Sequence, residues 1–523
     1  MSATRASNPA IPAPDSPAVT VRHKWLLTVA IMAGTLMQVL DTTIANVALP
    51  HMQASLGATQ DSITWVLTSY IVAAAVAIPI TGWLADRFGS RQLFLFSVGL
   101  FIIASMLCGI AVSLPEMVAF RLLQGIAGAF IAPLAQTVML DINPPSQHGR
   151  AMSIYGMGIM VGPILGPILG GWLTESFSWR WVFYVNLPVG LICLAGLWAW
   201  LPPKRIEKRK FDLAGFAMLA LALASLQMLL DRGVHIDWFN SVEAWIEAGV
   251  AAGFFWMFVI HLLNGRFPLF RPHMLADGNL MTGTLFLFIM GLVPMAGMAL
   301  LPALMQTLLG YPVLYTGELL ASRGVGVLIT MAITGRLMHR VDPRILVFCG
   351  FALVAWSLRD MAAWSLDMDW RPIVWSGLLQ GFGLGLTFVP LNVIAFGTLP
   401  PEYRTEAASL LNLSRNLGAS LGIAAVTALL ARNMQVSHAD LAAHVTQFNL
   451  PIDPNMALRM GQAGDMVMTA INGEITRQAA MIAYLDDFYA MMWATIAIIP
   501  LILLLRNPKR AIGDEEDLPF VVE

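Results

Sequence analysis

Fourteen runs of roughly twenty predominantly apolar residues follow one another along this chain, and no other feature constrains its fold as strongly. They begin near residues 25, 62, 92, 116, 151, 181, 212, 242, 280, 316, 344, 371, 405 and 488. A helix of about 20 apolar residues crosses the ~30 Å hydrocarbon core of a bilayer, and in lipid a helix bonds all of its own backbone groups. The composition agrees: 57% of the 523 residues are hydrophobic and only 12% are charged. Soluble domains run nearer 45–50% and about 25%. The fold class predicted is therefore an all-α polytopic membrane protein. A net charge of −2 speaks against a nucleic-acid partner. Cys108, Cys193 and Cys349 all lie in apolar runs, too scattered for a metal site or a disulfide framework.

An even number of spans puts both termini on one side, and the Lys/Arg bias of the connections says which. With the N-terminus inside, the outer connections hold Arg180, Arg232, Arg371, Arg432, Arg459 and Arg477, while Arg121, Arg323, Arg359 and Arg415 lie within spans. The other 20 of the 30 basic residues fall inside, most densely in KRIEKRK, Lys204 to Lys210. Both termini are expected to be cytoplasmic. Residues 1–22 are rich in Pro, Ala and Ser and are expected to be disordered, with 507–523 a cytoplasmic tail. The apolar run after residue 22 is too long for a cleaved signal core and reads as a retained first helix. One outer connection, 431–487, is long and polar with Met and Leu at helical spacing; it is either a docking surface or a plain loop.

The two halves of the chain repeat weakly. LLQG at Leu122–Gly125 recurs at Leu378–Gly381, and Gly162 and Gly166 recur as Gly418 and Gly422, each at an offset of 256. GWLADR at Gly82–Arg87 is echoed by GRLMHR at Gly335–Arg340, an offset of 253. A duplicated bundle explains three matches at nearly one spacing, and such repeats are typical of secondary transporters. The division is a six-helix bundle at 23–203, a basic linker with two inserted helices at 204–270, and a second six-helix bundle at 271–506.

Ionised groups inside a span are costly and face a cavity or a partner. Asp41 lies 16 residues past Trp25, about 24 Å along its helix, and Arg121 six residues inside Pro115, about 9 Å from the outer end. The depths agree, so the two are expected to pair, with Gln38 and Gln124 each three residues away on the same faces. The pair is either a proton-coupling site or a static tie between helices. Together with Gln38, Asn46 and Gln124, the residues Arg323, Asn412 and Arg415 are expected to line a substrate cavity between the halves. Gly158, Gly162, Gly166 and Gly170 recur every four residues and form one face that admits another backbone closely, with Pro163 and Pro167 bending the helix. In GWLADRFGSRQL the glycines, Gly82 and Gly89, suit a tight turn, while Asp86, Arg87 and Arg91 can pair across the inner face, with Arg150 a partner for Asp86.

LDTTIANVALP (Leu40–Pro50), GWLADRFGSRQL (Gly82–Leu93), RLLQGIAGA (Arg121–Ala129), GPILGPILGG (Gly162–Gly171), WRWVFYVNLPVG (Trp179–Gly190) and LDRGVHIDWF (Leu230–Phe239) together carry a resemblance over nearly the whole chain. The chain resembles the major facilitator superfamily, in its fourteen-helix drug:proton antiporter branch, and is similar to EmrB-type multidrug exporters. The resemblance implies a major facilitator fold of two six-helix bundles plus two inserted helices. It implies a conformational latch at Gly82, Asp86, Arg87, Gly89, Arg91 and Arg150, and an exporter-type packing motif at Gly158, Gly162, Pro163, Gly166, Pro167 and Gly170. It implies export of hydrophobic or amphiphilic drugs by alternating access from the inner membrane, driven by protons with no cofactor. The implied partners are a periplasmic membrane-fusion adaptor of the EmrA type and an outer-membrane channel of the TolC type. A proton symporter importing a small solute on the same fold is the competing reading. GASLG (Gly418–Gly422) matches the nucleophile-elbow pattern but lies inside an apolar helix, and no phosphate-binding loop or HExxH occurs, so an enzyme is not expected.

Overall fold

A computed structural model describes residues 15–203, 210–234, 236–265, 268–338, 340–445 and 462–506. Among these residues it is helical throughout, without a strand. The first bundle holds α1 (Lys24–Leu56), α2 (Trp65–Phe88), α3 (Ser90–Ile110), α4 (Leu114–Asp141), α5 (Pro145–Ser176) and α6 (Trp181–Trp200). Two further helices, α7 (Leu213–Arg232) and α8 (Val242–Asn264), precede the second bundle. That bundle holds α9 (Gly278–Leu308), α10 (Val313–Leu337), α11 (Pro343–Met361), α12 (Trp370–Gly397), α13 (Arg404–His444) and α14 (Gln462–Ile498). Thirteen of the described helices are long and apolar enough to cross a membrane. The exception, α11, is 19 residues long and carries Arg344, Arg359 and Asp360 near its ends, yet it packs against α12 and α14 like the rest.

Local chemistry sets the boundaries. Asp212, Asp277, Asp342 and Asp369 are N-caps of α7, α9, α11 and α12, each accepting a backbone N–H of the first turn. Gly57, at φ +62°, closes α1, and Gly89, at φ +89°, makes the turn from α2 into α3 that a side chain would strain.

The second bundle repeats the first. α1 packs on α5 as α9 does on α13, and α2 on α4 as α10 does on α12. The bundles meet along two lines, α5 against α10 and α2 against α13, as a two-fold repeat requires. The inserted α7 leans on both α2 and α13, roofing one of these lines. Its Gln227 donates to Ser420 Oγ of α13 at 2.8 Å, and Thr68 of α2 donates to Asp231. α8 packs chiefly on α7 and is largely exposed.

Two expectations change. The 431–487 connection is not a plain loop among its described residues: α13 runs on to His444 and α14 starts at Gln462, because the scattered Met, Leu and Ala keep helical spacing. At ~1.5 Å per residue, the 41 residues of α13 reach about 60 Å, twice the hydrocarbon thickness. The two arms are joined by a 3.1 Å hydrogen bond between the His438 ring and Asn472. Residues 15–22, expected to be disordered, dock onto the α4–α5 turn. Asp15 accepts from the Ser146 N–H at 3.0 Å and its hydroxyl at 2.7 Å, and the Val19 N–H reaches Asp141 O at 2.9 Å. The Ser146 bonds hold the Asp15 carboxyl below the usual carboxylate range. Residues 1–14, most of the basic cluster (204–209), His339 and the 507–523 tail lie outside the described residues.

Candidate functional site

Asp41 stands in the middle of α1 with no exposed surface, and the first bundle converges on it. Arg121 Nη1 of α4 donates to Asp41 Oδ2 at 2.6 Å. Gln124 Nε2 donates to Oδ1 at 2.7 Å, and Asn186 Nδ2 of α6 to the same oxygen at 2.8 Å. Arg121 is satisfied in turn by Gln124 Oε1 at 2.7 Å and Val66 O at 3.0 Å, and its guanidinium lies 4.4 Å from the Tyr70 ring centroid. Asn186 also donates to Ser105 Oγ at 2.9 Å. Five helices, α1, α2, α3, α4 and α6, thus share one buried ionic network. Such a pair is costly to desolvate, and losing one partner costs about 3–5 kcal/mol. The expected pair is there. Asn186, Ser105 and Tyr70 were not expected, although Asn186 sits within WRWVFYVNLPVG.

The glycine face of α5 holds α1 in place. A Cβ on Gly158 would collide with Met32, one on Gly162 would come within 2.5 Å of Val39, and one on Gly166 would collide with Thr43. At Gly170 the nearest atoms, of Ile44 and Val47, lie at 3.2–3.3 Å. The helix runs unbroken through Pro163 and Pro167. The opposite face of α5 belongs to the seam: Gly156 and Ser153 abut Met331 and Gly335 of α10, and Gly149 abuts Met338 just past its end. One helix therefore touches both the helix of Asp41 and the other bundle.

At the centre of the seam is a small polar cavity lined by Gln136, Tyr155, Phe388, Asn392, Asn412 and Arg415, among others. Gln136 donates to Asn392 and accepts from Asn412 Nδ2 at 2.9 Å, joining α4 to α12 and α13. Arg415 Nη2 reaches Asn412 Oδ1 at 3.4 Å. Gln136 and Asn392 are 256 residues apart, the repeat spacing, so they are equivalent positions meeting near the two-fold axis. That spacing was the signal that could have found them. Of the residues expected to line one cavity, Asn412 and Arg415 do so. Gln38 donates to Gly128 O at 2.9 Å within the first bundle, and Gln124 belongs to the Asp41 network. Asn46 is exposed and lines neither described cavity, because its helix face turns away from α4. Arg323 lies inside the second bundle, beside a separate cavity.

The face bearing GWLADRFGSRQL is locked shut by charge. Buried Arg404 of α13 donates to buried Asp141 of α4 at 2.9 Å. Arg271, just before α9, reaches Asp86 at 3.2 Å and Glu406 at 3.6 Å, so one guanidinium ties the motif to the second bundle. Gly82 leaves room for Glu406, which its Cβ would strike. Asp86 is thus held by Arg271, not by Arg150; Arg150 is exposed and makes no ion pair among the described residues. Arg91 instead binds Trp198 O at 2.7 Å within its own bundle, and Arg87 is exposed. Motif spacing could not reveal Arg271 or Arg404, since they are distant in sequence.

The Major Facilitator Superfamily model matches residues 31–423. The multidrug export protein EmrB of Escherichia coli (strain K12) is 34% identical over 499 residues, 93% of this chain and 96% of that protein. The fatty acid resistance protein FarB of Neisseria gonorrhoeae is 33% identical over 494 residues, 92% and 96%. Among solved structures, the human organic anion transporter MFSD10 superposes with a TM-score of 0.59 at 14% identity, covering 90% of this chain and 99% of that one. With a family model across most of its length and relatives above 30% identity end to end, the chain belongs to the major facilitator superfamily, in the branch that holds EmrB.

Proposed function

We propose that this chain is a proton-driven exporter of hydrophobic or amphiphilic compounds, including drugs, working by alternating access in the inner membrane with both termini in the cytoplasm. The observation that carries the reading is the shared helix α5, whose glycine face seats the helix of Asp41 while its other face forms the seam. Protonating Asp41 removes the charge that Arg121, Gln124 and Asn186 converge on. The loosened network shifts α1, α5 follows it, and the seam changes partners. On the face taken as cytoplasmic, the Asp141–Arg404 and Asp86–Arg271–Glu406 contacts then open and close with each cycle. The central cavity mixes amides and a guanidinium with Leu287, Phe388 and Leu411, which suits amphiphiles held by shape and a few polar contacts.

The paired arms of α13 and α14 support a further step, docking of an EmrA-type adaptor that leads to a TolC-type channel. The test is reconstitution. Proteoliposomes with an imposed proton gradient export a lipophilic fluorescent cation with the native protein, while Asp41→Asn, less stable but still folded and inserted, loses the gradient-driven component. Undiminished gradient-driven efflux by Asp41→Asn would refute the assignment, and uptake in place of efflux would refute the direction.

A further inference from the structure

The second bundle keeps a buried cation without an acid. Arg323 of α10 is 9% exposed, and a small cavity with room for about one water-sized guest lies beside it. Its Nη1 reaches only Pro294 O, at a long 3.4 Å, while Nε and Nη2 have no partner. The Trp364 indole N–H, on the same cavity, also has none. Apart from Ser322 the remaining lining is apolar, including Leu301, Met361 and Ile373. Thus the unpartnered groups here are all donors, and one of them bears a permanent positive charge.

Comparison of the repeats explains the imbalance. In the first bundle Gly125 of LLQG abuts the Tyr70 carbonyl; in the second, Gly381 abuts the Arg323 carbonyl. Arg323 therefore stands where Tyr70 stands, and the position of Arg121, 256 residues on, is Gly377. The cation has moved one helix across. Its acid has gone altogether, because α9, the counterpart of α1, contains no Asp or Glu from Gly278 to Leu308. Asp487, a buried acid on α14, forms no ion pair with it among the described residues. A lone buried charge in a membrane protein is strongly unfavourable, and water supplies an acceptor without the missing charge.

We propose that this cavity binds a small inorganic anion of the halide class, held by Arg323 and the Trp364 N–H as counter-ion of the second bundle. A single atom asks for the least room of any anion, a chloride being a few tenths of an ångström larger in radius than water, and it accepts several N–H bonds at once. A carboxylate offers the same charge but needs more space. The site is separate from the central cavity and does not rest on the transport reading.

The structure also supplies its own control. A Cβ on Gly297 would lie 3.5 Å from Arg323 Nη2 and 4.0 Å from Nη1, with nothing else so near. Gly297→Asp therefore builds the missing carboxylate in place. The experiment is thermal unfolding of the purified full chain in gluconate buffer, titrated with chloride, bromide, acetate or decanoate at constant ionic strength. The native protein is expected to show a saturable rise in melting temperature with chloride and bromide, and a much smaller one with either carboxylate. Trp364→Phe should weaken the apparent halide affinity several-fold, Arg323→Gln should abolish the response, and Gly297→Asp should melt higher without halide and ignore its addition. A native protein indifferent to halide overturns the proposal, as does a response to decanoate alone. So does a halide response that survives in Gly297→Asp; this variant and Trp364→Phe decide the matter even if Arg323→Gln does not fold.

Discussion

Asp141→Asn should release the lock on the GWLADRFGSRQL face. The Asp141–Arg404 pair is 2.9 Å long, with both side chains under 10% exposed, so solvent screens it little. A hydrogen bond between charged partners contributes about 1.5–3 kcal/mol, and each 1.4 kcal/mol is tenfold in population. The substitution keeps the shape and removes the charge, so the fraction open at this face rises about 10- to 140-fold. Asp86→Asn should do less. Its partner Arg271 is 20% exposed, shares itself with Glu406 and sits 3.2 Å away, which limits the effect to about 1 kcal/mol, or fivefold. The readout is the labelling rate of Ala408→Cys, buried one turn from Arg404, by a membrane-impermeant maleimide. The exposed Cys349 is replaced by Ser beforehand, while Cys108 and Cys193 are buried. An unchanged labelling rate in a normally melting Asp141→Asn protein refutes the lock, and an equal effect of the two substitutions refutes the ranking.

Asn186→Ala removes one of the three side chains that donate to Asp41 and is expected to lower stability by about 1.5–3 kcal/mol, read by thermal unfolding in detergent. Gly166→Val drives a side chain into Thr43 and should abolish the monodisperse peak on size exclusion, whereas Gly171→Ala, with nothing within 4 Å of its Cβ, should not. Asp487→Leu should raise the melting temperature, because that carboxylate is fully buried and neither oxygen has a partner. Excising 436–474 removes both arms but spares the buried stretch from Ala479. Transport in vesicles should persist while resistance in whole cells and adaptor pull-down are lost; full adaptor recovery would refute docking through the arms.

Much of this was readable from hydropathy and repeats, because a span and a duplicated motif are local patterns. The Asp41–Arg121 pair could be placed by counting residues from the helix ends, since a helix converts number into depth. The partners that finish each site were not legible. Asn186, Arg271 and Arg404 reach their acids only through tertiary packing, and Asn46 and Arg323 were misplaced because depth says nothing about which way a helix face turns. The α13 and α14 arms were read as a connection because polar helices look like loops to a hydropathy window.

The central cavity has an orientation problem built into it. Gln136 and Asn392 are repeat equivalents, and so are Tyr155 and Leu411, both of which line it. To a guest with two similar ends, these two pairs offer a similar footing after a half-turn. Two such poses of equal energy add about 0.4 kcal/mol of statistical weight at room temperature, a gain that asks nothing of the guest except rough symmetry. What breaks the tie is the rest of the lining: Phe388 and Asn412 answer to Ala132 and Gly156, and the charged Arg415 answers to the apolar Ile159. A molecule with one anionic end should therefore enter in a single sense, and Arg415→Leu should let it lie either way round.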